Sequence, residues 1–405
     1  MRRRQNRLGQ FILTLMLILV IFGFGSRIVN AEERDGAGSP ETEEAESRAD
    51  AEELREETED ALLAEFDFDE IEESLSGMFP RQKLSFEEVM SELISGDLSG
   101  LGKTFLGYLS DQIFYEFHYN RENLVYMLLV ALTAAVFTNF SSAFQNRQVS
   151  EISFYVLYML LITLCLTAFR IAIQGLEQNL NGLVDFMRVL CPSYFLAVAF
   201  ASGSVTSLFF YNVILFLIYV VELAVVRFLL PVINVYIMIQ VLGNLTGEDF
   251  LSEFAQLLQK LVTWILRTLL AGVIGINVVQ GLLAPAIDSL RKSALTRTAE
   301  ALPWVGNAVG GAAEVVLGTA VLIKNGIGMA GAVIAVLICA VPVIQMLILA
   351  FLYKLAAALV QPVSDKRITG CISSVSEGYE LLVKVVFTAG VLFLLTIAIV
   401  AASTT

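Results

Sequence analysis

The chain has 405 residues, of which 56% are hydrophobic and 16% charged, with a mean hydropathy of +0.72, a formal charge of −14 and one histidine. Soluble domains are roughly half apolar and about a quarter charged, so this composition excludes an ordinary soluble enzyme. Residues 1–30 carry five arginines and no acid, residues 31–120 carry 26 acids and 6 bases, and residues 121–405 are nearly neutral. No long basic tract exists, which argues against a nucleic-acid partner.

Arg2, Arg3, Arg4 and Arg7 precede a 14-residue apolar run from Phe11 to Phe24, and Val29, Asn30 and Ala31 follow before the acidic segment. A basic start, an apolar stretch too short to span comfortably and a small residue at a cleavage point read as a signal peptide over residues 1–31, with an uncleaved anchor as the alternative. Either way the next segment is exported. Residues 32–80 form an acidic, largely disordered segment, because its first half has almost no large apolar residue to offset chain entropy. Residues 81–120 are expected to be an exported amphipathic helical segment: Ser85 and Glu88 have capping-box spacing, and Phe86, Val89, Met90, Leu93 and Ile94 follow at helical intervals.

A polytopic membrane domain is expected over 121–402. Apolar stretches at 124–140 and 152–173 have the length of transmembrane helices. Beyond residue 190 the apolar stretches are longer than one helix, and an internal repeat divides them. Pro192 and Pro231 are 39 residues apart, as are Pro303 and Pro342, and the pairs are offset by 111; Pro231-Val232-Ile233 matches Pro342-Val343-Ile344. Each copy, about 190–290 and 301–402, then divides into three spans: 193–210, 211–242 and 262–286, then 304–323, 326–359 and 380–402. Three is odd, so the copies would be inverted, and the total is about eight spans in an all-α fold. This layout places Arg147, Arg291, Lys292, Arg297, Lys366 and Arg367 inside and Glu248, Asp249 and Glu253 outside, in keeping with positive-inside bias; Lys324, in a short external turn, and Arg188 are exceptions.

Chemistry-bearing motifs are sparse. Gly100-Leu101-Gly102-Lys103-Thr104 resembles the end of a phosphate loop, but Asp97 stands where the first glycine is required, so it reads as a break between helices. His118 lies among Tyr115, Phe117 and Tyr119, an interfacial setting, and no zinc or nucleophile motif accompanies it. Cys165, Cys191, Cys339 and Cys371 are widely spaced, so neither disulfide nor metal is expected, and no cofactor is implied. The chain is expected not to be an enzyme.

Ionisable residues within apolar spans mark functional candidates, since a charge in lipid costs a few kcal/mol. They are Arg170, Glu222, Arg227, Arg267, Glu314, Lys324, Lys354 and Lys384. Snorkelling to headgroups accounts for Arg170, Lys324 and Lys384, and Lys354 stands near a span end; Glu222 and Arg227 are mid-span. Gly306, Gly310, Glu314 and Gly318 are spaced by four and form one helix ridge, read either as a packing face or as a transport-pathway surface.

Residues 302–328, LPWVGNAVGGAAEVVLGTAVLIKNGIG, and 353–367, YKLAAALVQPVSDKR, resemble signature stretches of the stage III sporulation protein AE family of endospore-forming bacteria, and Gly275-Ile276-Asn277-Val278-Val279-Gln280-Gly281 resembles a third. The turn Pro362-Val363-Ser364-Asp365 departs from the Pro-Leu-Gly-Asp common in that family, which leaves Asp365 as the shared acid. The resemblance implies a multi-pass, non-enzymatic subunit of the channel complex between mother cell and forespore. It also implies the mother-cell membrane around the forespore, an extracytoplasmic N-terminal region, and other stage III proteins as partners: an ATPase, ring-forming subunits and small membrane subunits. A stand-alone secondary transporter, with a substrate site between inverted repeats, is the alternative.

Overall fold

The computed structural model describes residues 68–78, 85–95, a series of helical positions between 102 and 136, and 147–202, 204–246, 251–299 and 308–403. Contacts divide the chain into two units, Met1–Glu53 and Leu54–Thr405, and every described residue belongs to the second. The expected signal peptide, the acidic stretch up to residue 67, Pro303 and Gly306 lie outside the described residues, as do most of the glycine-rich motif at 100–104 and part of the expected span 124–140.

Two short helices come first. Phe68, Ile71, Leu75 and Met78 recur at helical spacing, and this end of the acidic segment is ordered as α1 (Asp69–Met78), with Ile71 and Leu75 fully buried. Helix α2 (Phe86–Ser95) begins after Ser85, whose hydroxyl accepts the Glu88 N–H at 3.3 Å as the capping box requires. The second acceptor comes from elsewhere. Glu72 of α1, through Oε1, takes the Ser85 hydroxyl at 2.8 Å and the N–H groups of Phe86 and Glu87 at 2.6 and 3.3 Å. One carboxylate thereby satisfies donors that a helix start leaves open and ties the two helices together.

The membrane core contains α3 (Arg147–Ser202), α4 (Ser204–Val221), a π-helical stretch (Glu222–Leu229), α5 (Leu230–Thr246), α6 (Ser252–Ala299), α7 (Ala308–Val360) and α8 (Lys366–Ser403). No strand occurs among the described residues. The chain is an all-α membrane protein, and five helices among the described residues are long and apolar enough to cross a bilayer. These are not the eight spans expected. The stretches 152–173 and 193–202 are joined in α3, whose 56 residues extend about 84 Å. The polar residues between them stop no helix, because they are spaced so as to share one face. Helix α7 likewise joins 304–323, from Ala308 onward, to 326–359, and the expected external turn at Lys324 is helix interior. Lys324 is fully buried there, so it does not snorkel.

The π-helical stretch has an identifiable neighbour. Leu230 donates its N–H to Val225, five residues back, and Pro231, immediately after, has no N–H to resume the ordinary ladder. Pro342, its counterpart in the repeat, sits inside uninterrupted α7.

Helices α7 and α8 form an antiparallel hairpin and share the most extensive interface among the described helices. In the turn, the N–H groups of Val363 and Ser364 donate to the Val360 carbonyl, and Asp365 Oδ1 accepts the Arg367 N–H at 2.8 Å, capping α8. Small residues let α8 into the core. At Gly378 an added Cβ would strike Ile237 of α5 and Phe169 of α3, and at Gly390 it would meet Cys339 Sγ of α7 at 2.9 Å.

Contacts fix which helix ends lie together. The Arg367 guanidinium stacks over Phe154 with 4.0 Å to the ring centroid, the Tyr158 hydroxyl donates to the Val241 carbonyl, and the Asn244 amide donates to Ser374. The start of α3, the end of α5 and the α7–α8 turn therefore share one end. The end of α5 thus lies on the same side as Lys366 and Arg367, whereas the eight-span layout put these segments on opposite sides. At the other end α1 packs on α3, with Met78 against Gly182, and α2 packs on α7, with Met90 and Ile94 against Gly326.

The repeat survives as a layout. A long helical stretch, a short turn and a further helix occur twice, and the two helix ends flanking the turn correspond to within three residues of the 111-residue offset. Counted in these helices, each copy contributes an even number, which orients both copies alike. The inversion required three.

Candidate functional site

Glu222 opens the π-helical stretch and faces the last third of α3. It forms an ion pair with Arg188, which also reaches Asp185 at 3.4 Å, while Arg227 approaches the second Glu222 oxygen at 4.0 Å. The two sequence candidates Glu222 and Arg227 are thus brought together, and α3 supplies Arg188, which the sequence marked only as an exception to the charge bias, together with Asp185 beside it. Exposure separates the members. The Glu222 side chain is 18% exposed, whereas Arg188, Asp185 and Arg227 are 47%, 63% and 72% exposed. The carboxylate is the anchored member and the arginines reach outward from it.

Arg188 and Asp185 end a longer polar stripe. Arg170, Gln174, Glu177, Asn181, Asp185 and Arg188 follow one another at intervals of four, three, four, four and three, which keeps them on one side of a helix with 3.6 residues per turn. All are exposed except Asn181, which is half-buried. The opposite side carries Phe169, Leu176, Leu180, Leu183, Phe186 and Leu190, all buried. The hydrophilic interval that suggested a break between spans is one face of an amphipathic helix; the signal was its period.

The other candidates are dispersed. Lys354, near the end of α7, donates to the Ser373 hydroxyl of α8 at 3.3 Å. Asp365 is the α8 cap, a structural role. Gly310 and Glu314 lie on α7, with side-chain surroundings outside the described residues. Gly318 is exposed, and a Cβ there would meet nothing within 4 Å, so no described part of this chain packs on the ridge at that position. Close approach occurs instead along Gly370, Ser374 and Gly378 of α8, spaced by four and facing Asn244 and Ile237 of α5. Sequence reading missed that stripe, although its spacing was visible.

No cluster of three or more His, Cys, Asp or Glu suited to a metal occurs among the described residues. Cys165, Cys191 and Cys371 are buried thiols and Cys339 is half-buried.

Residues 84–404 match the model of the family described as Stage III sporulation protein AE. The protein of that name from Bacillus subtilis (strain 168) is 28% identical over 396 residues, covering 96% of this chain and 97% of its own length. No solved structure matches. With the match running from the residue before the α2 cap to the residue after α8, the chain belongs to the Stage III sporulation protein AE family.

Proposed function

We propose that the chain is a non-enzymatic, multi-pass subunit of a channel complex joining mother cell and forespore during endospore formation. Family membership over nearly the whole chain carries this reading, and the shortage of catalytic motifs supports it. Its partners in that complex are an ATPase, ring-forming subunits and small membrane subunits. The site of action is the mother-cell membrane around the forespore. The N-terminal region is extracytoplasmic, which puts α1 and α2 outside and the α7–α8 turn, with Lys354, Lys366 and Arg367, in the cytoplasm.

The test is affinity purification of the tagged chain from membranes of sporulating cells. Recovery of an ATPase and ring-forming membrane proteins in constant ratio supports the complex. The rival reading is a self-sufficient transporter, whose main argument was inversion of the repeat. Solute uptake by the purified chain alone in proteoliposomes, with no co-purifying subunit, would overturn the complex.

A further inference from the structure

The polar stripe of α3 stands at a depth where the outer surface of the α4–α5 run is largely apolar, although α8 also exposes Glu380 and Lys384 there. Two contacts mark that depth on both α3 and the α4–α5 helical run. At the first, Phe169 of α3 packs against Tyr379 of α8, with 5.0 Å between ring centroids, beside Gly378, which is also closely approached by Ile237 of α5. At the second, Arg188 of α3 pairs with Glu222. Between these marks α3 advances 19 residues and the α4–α5 run 15, about 28 and 22 Å at an α-helical rise. The two intervals are therefore comparable slices of one bundle.

Within this slice the two outer surfaces differ. The α4–α5 run exposes Leu223, Phe228, Pro231 and Val235, with Arg227 the one charged exception, held near Glu222. Helix α3 exposes Arg170, Gln174, Glu177, Asp185 and Arg188. Toward the α7–α8 turn, the same α3 face is mostly apolar, with Val156 and Leu160 in line with the stripe and the Thr163 hydroxyl turned back onto the Met159 carbonyl. A helix surface that is apolar, then polar for five turns, suits lipid in the first part and not in the second. Hydrocarbon against that many charges and amides would cost several kcal/mol, even with Asp185, Arg188 and Glu222 paired among themselves.

We propose that the α3 stripe from Arg170 to Arg188, joined by Glu222 and Arg227, is the wall of a water-filled passage for hydrophilic solutes. The inference rests on the channel reading and adds its lining. Arg170, Arg188 and Arg227 balance Glu177, Asp185 and Glu222, so the wall has no net charge and favours neither anions nor cations. The ion pair at its end keeps α3 and the π-helical stretch in register while leaving Arg227 and Asp185 in water.

The test uses the full chain in membrane fragments open on both sides, with Cys165, Cys191, Cys339 and Cys371 replaced by alanine. Single cysteines are placed at Gln174, Glu177 and Asn181 on the stripe and at Phe228 and Val235 on the apolar surface. Gln174→Cys and Asn181→Cys remove no charge, so they report even if Glu177→Cys fails to accumulate. The probes are two membrane-impermeant methanethiosulfonates, one bearing a sulfonate and one a trimethylammonium group. Stripe cysteines should react with both probes at rates within about tenfold of each other, and at least about a hundredfold faster than Val235→Cys, because only a hydrated thiol ionises readily.

Stripe positions no faster than Val235→Cys would overturn the proposal in favour of lipid. Reaction only after the chain is purified away from other proteins would overturn it in favour of a covering subunit, and exclusion of one probe would overturn the neutral wall. A reactive stripe in membranes from which no partner co-purifies would leave the passage standing and remove the complex.

Discussion

Asn244 of α5 donates through its side-chain amide to the Ser374 hydroxyl of α8, 2.9 Å away and 130 residues further along the chain. Gly370, one turn earlier on α8, leaves the room this amide occupies: a Cβ there would meet Asn244 Oδ1 at 2.6 Å. A polar bond and a missing side chain therefore hold the same crossing. Asn244→Leu is expected to lower the detergent melting temperature by removing about 1 kcal/mol of interhelical bonding. Gly370→Leu is expected to cost more, through overpacking, and the order of the two melting temperatures is the check.

Gly378 and Gly318 give a matched pair. Substitution by leucine at Gly378 would drive a side chain into Ile237 and Phe169, at a cost of about 1–3 kcal/mol or more. At Gly318 the same change enters open space. Membrane accumulation should fall sharply for Gly378→Leu and remain near wild type for Gly318→Leu; equal losses would mean that Gly318 packs against another protein.

The Arg188–Glu222 pair is testable by a double-mutant cycle with Arg188→Gln and Glu222→Gln. Because Arg188 is about half exposed, the expected coupling is that of a hydrated pair, about 0.5–1 kcal/mol. Thermal unfolding of the four proteins measures it. A coupling several times larger would place the pair in a dry environment and contradict the hydrated stripe.

Cysteine labels address topology. Ser252 starts α6 and Arg291 lies 39 residues further along the same helix, about 58 Å away, which exceeds the hydrocarbon thickness. Labels at Ser252→Cys and Arg291→Cys should react from opposite sides, and Ser252→Cys should react from the same side as Lys366→Cys. Opposite reactivity of Ser252→Cys and Lys366→Cys would restore the eight-span arrangement.

Glu72 caps α2 from α1, so Glu72→Ala leaves three donors without their acceptor and should cost about 1–2 kcal/mol locally. The expected outcome is faster proteolysis between residues 69 and 95 with no change in membrane insertion. Resistance equal to wild type would show that packing against α3 and α7 suffices to hold the pair.

Local signals were legible in the sequence where the chain itself supplies both partners. Ser85 and Glu88 announced the start of α2, three residues apart. Glu72 was not legible as part of that cap, because the 13 residues to Ser85 include a segment with no periodic pattern. Span boundaries misled for a related reason. Asp185 and Arg188 lower hydropathy in the same way whether they interrupt a helix or line one face of it, and only their phase distinguishes the two. Lys324 and Asn325 looked like a turn because a lysine inside an apolar stretch is improbable without tertiary surroundings, and those surroundings come from elsewhere in the fold. Glycine spacing was equally visible on α7 and α8; which ridge receives a neighbour depends on how distant helices cross.

The π-helical stretch between α4 and α5 also acts as an adjustment of phase. In an α-helix each residue turns the chain by about 100°, so one residue more or less rotates everything beyond it by more than a quarter turn. Ile214, Leu217, Ile218 and Val221 before the stretch and Ile233, Tyr236, Ile237 and Val241 after it are all buried. At ordinary helical spacing the stripe begun at Ile214 would arrive about one residue early at Ile233; the wider turns take up that difference. With its present residue count an uninterrupted α-helix would therefore swing α5 outward, carrying Ile237 from Gly378 and Asn244 from Ser374, whereas a chain one residue shorter in 222–229 could close to ordinary turns and stay in phase. The residue count of this stretch and the width of its turns are matched to each other, independent of which side chains fill it.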